Sequence, residues 1–153
     1  MNAKTWRLRF FLAVFAVIVF SNVPLHANYM FYTTVQHILK VYQIEVSFKD
    51  MMLEPIGQGM GIETEDPNAR NFILRLDAGR NNFDTVLMVG FYAAGRAIRT
   101  VGELDVEAVS IYISIQSRDQ GLIVGFASAN SIDLLIDGKL TAKEFKMKHL
   151  KMM

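Results

Sequence analysis

Cysteine is absent from the 153 residues, and only three prolines, three histidines and one tryptophan occur. Without a thiol there is no disulfide scaffold, no thiolate metal site, no cysteine nucleophile and no iron–sulfur cluster. A surplus of charge is missing too. Sixteen basic side chains face fifteen acidic ones, for a formal charge of +1. General nucleic-acid binding needs an excess of Lys and Arg, so nucleic acid is not an expected partner. No Ser stands in a G-x-S-x-G turn, and no H-E-x-x-H occurs. Apolar residues are plentiful at 52%, which excludes a disordered tail protein. The length suits one domain.

The chain opens MNAKTWRLRFFLAVFAVIVFSNVPLHA. Lys4, Arg7 and Arg9 form a basic start, and Phe10 to Phe20 is an unbroken apolar run of eleven. Ser21, Asn22 and Pro24 break the run, and Leu25-His26-Ala27 ends on a small residue. That order is the pattern of a secretory signal peptide over residues 1–27. As a helix, the run spans roughly 16 Å, short of a bilayer's hydrocarbon core. Membrane contact is therefore expected only through this segment, if it stays uncleaved as an anchor. Its removal takes three basic and no acidic side chains, leaving 13 basic against 15 acidic and a charge of −2. The expected mature product is residues 28–153, periplasmic or extracellular, with its apolar share down at about 49%, an ordinary globular value.

Past the cut, Phe31, Val35, Ile38 and Tyr42 repeat at helical spacing, which predicts a helix over 28–40. Tyr42, Ile44, Val46 and Phe48 then alternate with polar residues and predict a half-buried strand. The stretch 50–71 holds two prolines, Gly57, Gly59, Gly61 and an acidic run, and predicts a mobile loop. Phe72 to Leu76 is a short apolar piece, strand or helical turn. Phe83, Val86, Leu87, Gly90, Ala94, Ala97 and Ile98 share a face of a helix to about Thr100, with Asn82 before it and Gly102 after. Its small residues suit close packing on a sheet. Val109, Ile111, Ile113 and Ile115 alternate, as do Leu122, Val124 and Phe126, and the turn between them makes a hairpin. Ser128 or Ser131 is placed to cap a short helix over Ile132–Ile136, and Thr141 with Glu144 forms a capping box for a last helix.

One local pattern resembles the calcium loop of the EF-hand family. Asp133 would be its first ligand, Asp137 its fifth, Gly138 the turn glycine, Thr141 the ninth and Glu144 the bidentate twelfth. Leu135 departs from the pattern where an oxygen ligand belongs. A helix stop at Gly138 followed by the Thr141/Glu144 capping box accounts for the same residues. Other features have bland readings beside sharper ones. Gly57-Gln-Gly59-Met-Gly61 lacks the strand before and the helix after that a phosphate loop needs, and acidic residues follow it. Met147, His149, Met152 and Met153 offer soft copper(I) donors or a frayed end. Glu103, Asp105 and Glu107 would share one strand face, as a cation site or a solvated strand start. Lys143, Lys146, Lys148 and Lys151 make a basic patch, read as a solvated helix face or a contact for anionic lipid. His37 reads as a half-buried packing residue.

The expected fold is α+β: a small antiparallel sheet with one long helix packed on it and short C-terminal helices. The predicted core is Ile44, Val46, Phe48, Val86, Leu87, Phe91, Ile111, Ile113, Ile115, Val124 and Phe126. The expected function is an exported, non-catalytic binding module of the cell envelope, with no cofactor and with a protein or envelope component as partner. The alternatives are a small secreted enzyme using carboxylates assembled in the fold, and an EF-hand-like calcium-responsive protein.

Overall fold

The computed structural model describes residues 26–56, 64, 66–116 and 121–152. Among these, the chain is an α+β fold with helices packed on one face of a five-stranded mixed sheet. Helix α1 covers residues 26–41, and a single 3₁₀ turn spans Phe48–Asp50. There follow β1 (Met51–Pro55), β2 (Arg70–Ala78), α2 (Phe83–Val101), β3 (Val106–Ile115) and β4 (Gly121–Ser128). Then come α3 (Ala129–Ile136), α4 (Ala142–Lys148) and the two-residue β5 (Lys151–Met152). Strand order across the sheet is β1-β2-β3-β4-β5.

Three expectations are corrected. The sheet is not wholly antiparallel, because β2 and β3 run parallel at its centre. Helix α2 is the crossover between them, and its 19 residues exceed the dozen or so that a parallel connection requires. Phe72, Ile73 and Leu74 in succession are buried, as a central parallel strand demands on both of its faces. The strand expected over 42–48 does not form. Helix α1 runs to residue 41, residues 44–47 join no strand, and Ser47 caps the 3₁₀ turn through Asp50. Gln36 Nε2 donates to the Val46 carbonyl at 2.8 Å and ties this segment to α1. Ile44 and Val46 are consequently half-buried and Phe48 is exposed, so none of the three is a core residue. Finally, the stretch 50–71 is not one loop, because β1 lies within it and pairs with β2 from Met51↔Leu74 to Pro55↔Arg70. The glycines at 57, 59 and 61 lie outside the described residues.

The alternation of each strand sorts the sheet into two faces. Phe72, Leu74 and Leu76 of β2 and Val109, Ile111 and Ile113 of β3 point to the helices and are all buried. Phe31 of α1 meets Phe72 edge-on at 4.8 Å, and Phe91 of α2 meets Phe145 of α4 at 5.5 Å. Helix α2 lies close because it carries no side chain at two contact points. A Cβ on Gly90 would stand 2.7 Å from Ile111 Cδ1, and one on Gly95 would stand 2.5 Å from Ile132 Cγ2 of α3. The helix stops at Gly102 with φ +63°, as the sequence predicts. Asn82 sits at its N-cap, but its Oδ1 accepts from the Gly79 N–H instead of the helix. The β3–β4 hairpin register, Ile111↔Gly125 and Ile113↔Ile123, puts Val124 on the face away from the helices, half-buried. Phe126 shares that far face, although it is buried.

Candidate functional site

The residues of the calcium-loop pattern lie close in sequence but are taken up separately. Asp133 is inside α3 and Asp137 is its C-cap. Arg99, near the end of α2, reaches both: its Nε bonds the Asp133 carboxylate, and its Nη2 donates to Asp137 Oδ1 at 2.6 Å and to the Asp133 carbonyl at 3.0 Å. Lys139 Nζ approaches the other Asp137 oxygen at 3.2 Å. Hydrogen bonds from Arg99 first, and Lys139 second, hold the Asp137 carboxyl below the usual aspartate range. Glu144 turns back to Thr141, accepting from its backbone N–H at 3.0 Å and its hydroxyl at 2.8 Å. Those bonds lower its own carboxyl. Two of the four candidate ligands thus face a guanidinium, and the other two close a capping box. Among the described residues, no three His, Asp or Glu side chains gather where a metal ion would be held.

The other sequence candidates are equally dispersed. Glu103 and Asp105 precede β3 instead of sharing a strand face with Glu107, the second residue of β3. With Asn28, Leu53, Asn68 and Arg70 they border an open cleft of about 280 Å³ beside the start of α1. His37 is exposed, not half-buried, and borders a cleft of about 490 Å³ between α1 and residues 44–46. Met147 is exposed on α4 and Met152 lies in β5, while Met153 falls outside the described residues. Of the basic patch, Lys146 is paired with Asp84 at 2.6 Å, and Lys151 is carried onto the sheet edge.

Two arrangements escaped the sequence. Ser131 Oγ lies 3.1 Å from His149 Nδ1 and 2.9 Å from Ser128 Oγ. A serine beside an imidazole is the geometry of an activated nucleophile. Here, however, Ser131 is 9% exposed, and Ser128 Oγ also accepts the Ser131 N–H as the cap of α3. Because His149 is the C-cap of α4, the trio fastens the end of that helix to the start of α3. Positions 131 and 149 carry no shared motif, so only the packing of α3 on α4 reveals the contact.

The second arrangement is a whole face of the sheet. With the core facing α1 through α4, the other side carries Met52, Ile73, Tyr112, Leu122, Val124 and Phe126. No described helix covers it. Met52 and Leu122 are exposed at 40% and 60%, Tyr112 and Val124 are half-buried, and Ile73, Ala108 and Phe126 are buried. Polar groups punctuate the face. Ser110 Oγ donates to Asn71 Oδ1 at 3.1 Å, both residues are buried, and Asn71 Nδ2 has no partner. Glu54, Arg75, Asp77 and Lys151 stand towards its margins. The alternation of β3 and β4 was visible in the sequence, but which side the helices would take was not.

No protein-family model, no curated protein and no solved structure matches this chain.

Proposed function

We propose that the chain is an exported domain of the cell envelope, periplasmic or extracellular, that binds a protein or envelope component and does no chemistry of its own. The observation that carries the reading is the one-sided placement of the described helices, with Met52 and Leu122 exposed and Tyr112 and Val124 half-buried on the other face of the sheet. Exposed apolar side chains grouped on one sheet face suit an interaction surface. The basic start and apolar run of residues 1–20 support export.

The expected cut, between Ala27 and Asn28, falls inside α1, where Ala27 is buried. Peptidases take extended chain, so processing at this bond precedes packing of α1. Mass spectrometry of the exported protein is expected to give an N-terminus near Asn28. An intact Met1 on a cytoplasmic product would overturn export. For binding, the wild-type domain is expected to retain envelope proteins that a Val124→Arg variant of equal melting temperature releases. Identical captured sets would remove the sheet face from the reading.

A further inference from the structure

Helix α1 carries two stripes. Phe31, Val35 and Leu39 are buried in the core, and Thr33, Gln36, His37 and Lys40 form a polar stripe at helical spacing beside them. The helix ends in a Schellman turn. The Gln43 N–H donates to the Lys40 carbonyl and the Ile44 N–H to the Leu39 carbonyl, each at 3.0 Å, with Gln43 at φ +62°. The turn sends residues 44–46 back along the polar stripe, where the Gln36 bond to the Val46 carbonyl holds them. The cleft of about 490 Å³ lies between stripe and return. Small-molecule sites run from roughly 300 to 1,000 Å³.

The fold does not use the polar groups that line this cleft. His37 and Lys40 border it from the helix and Glu45 from the returning segment. Among the described residues, none of the three makes a side-chain hydrogen bond or ion pair. Opposite charges therefore border one cleft without closing on each other. Gln36 spends only its amide N–H on Val46, which leaves Oε1 as an acceptor. Thr33 belongs to the same wall, and its Oγ1 is buried with no partner. A buried hydroxyl left unpaired is costly, and an occupant of the cleft that supplies a partner removes that cost. Ile44 and Val46, both half-buried, make the apolar part of the lining.

We propose that this cleft binds a small zwitterion, an amino acid or a short peptide, with its carboxylate towards Lys40 and His37 and its ammonium towards Glu45. The mixed charge decides the class. A phosphate would be repelled by Glu45, and a polyamine by Lys40. Ile44 and Val46 suit a small aliphatic side chain on the ligand. The charged groups are solvent-exposed, so each contributes little and binding is expected in the millimolar range. The cleft lies on the helix side of the sheet, away from the face read as the envelope-binding surface, and its occupation does not depend on that reading.

The exported protein, or the intact chain if no cut occurs, is titrated with L-alanyl-L-alanine, with L-alanine and with the doubly blocked N-acetylalanine methylamide. Each runs from about 0.1 to 50 mM, followed by amide NMR. Saturable shifts across residues 33–46 are expected from the dipeptide, the amino acid or both, and none from the blocked compound. The zwitterion that saturates at the lower concentration identifies the source. Lys40→Met and Glu45→Gln are each expected to weaken binding at least threefold. Thr33→Val is expected to weaken it too while leaving the melting temperature unchanged or raised, because only the unpartnered hydroxyl is removed. A purely structural hydroxyl would move the melting temperature and not the affinity. No saturable shift with either zwitterion, an equal response to the blocked compound, or unchanged affinity in Lys40→Met and Glu45→Gln would overturn the proposal. A cytoplasmic product with intact Met1 that still binds the dipeptide would overturn export and leave the cleft standing.

Discussion

Ser128 caps α3 through the Ser131 N–H, and the Ser131 hydroxyl continues the chain of contacts to His149. One small side chain therefore satisfies a helix start and steadies the contact between two helices. Ser128→Ala is expected to lower stability by about 1 kcal/mol, read from the denaturant midpoint with an unchanged slope. Gly95 carries a different constraint, since Ile132 and Ile136 of α3 occupy the space of its missing Cβ. Alanine would improve helix propensity by about 1 kcal/mol, but overpacking a fully buried isoleucine costs about 1–3 kcal/mol. Gly95→Ala is thus expected to destabilise, and Ile132→Val in the same chain to recover part of the loss. An increase in melting temperature from Gly95→Ala would contradict the close contact of α2 with α3. The Ser128 cap was legible in the sequence as one of two candidates, because capping acts across three residues. The role of Gly95 was not, because its neighbours are contributed by another element.

The link between α2 and α3 is electrostatic at its open end. Arg99 holds Asp133 and Asp137, residues 34 and 38 positions away. The Asp137 carboxyl is depressed when folded, so its contribution is present above the ordinary aspartate range and is lost as pH falls through the lowered value. Wild type is expected to lose more stability than Asp137→Asn between neutral pH and pH 3. The difference should shrink in 1 M salt, because the pair is solvent-exposed. Equal acid profiles for the two proteins would show that the pair contributes nothing. Because Arg99 already engages the two aspartates and Glu144 closes on Thr141, millimolar calcium is expected to leave the melting temperature unchanged. A calcium-dependent rise abolished by Glu144→Gln would restore the EF-hand reading. The sequence resemblance had real residues behind it, but ligand spacing along a chain does not place a cation from α2 outside the pattern.

Across the whole molecule, the helices and the sheet divide the work. Helices α1 to α4 bury one face of the sheet into a single core, and the crossover through α2 makes the two central strands parallel. The opposite face keeps half of its apolar side chains in contact with solvent. The Tyr112 and Val124 positions are therefore expected to tolerate polar substitution with little loss of stability while losing association. Tyr112→Ser, for example, should shift the melting temperature only slightly yet abolish capture of a partner. A large loss of stability would mean that the face is covered within the monomer.

The sequence by itself determined what acts over a few residues. The basic start and apolar run, the stripe and stop of α2, the alternation of β3 and β4 and the Thr141 capping box are all short-range patterns, and each described one stands where its period or cap chemistry put it. The tertiary structure decided what depends on partners far along the chain. Residues 44–48 alternate as a strand does, but α1 took them through Gln36 and left β1 to pair with β2. The direction of β3 beside β2 was set by a helix long enough to return the chain to the same end of the sheet. Which face of that sheet the described helices cover followed from where they found their common core, because burial is shared between elements and is not a property of any one of them.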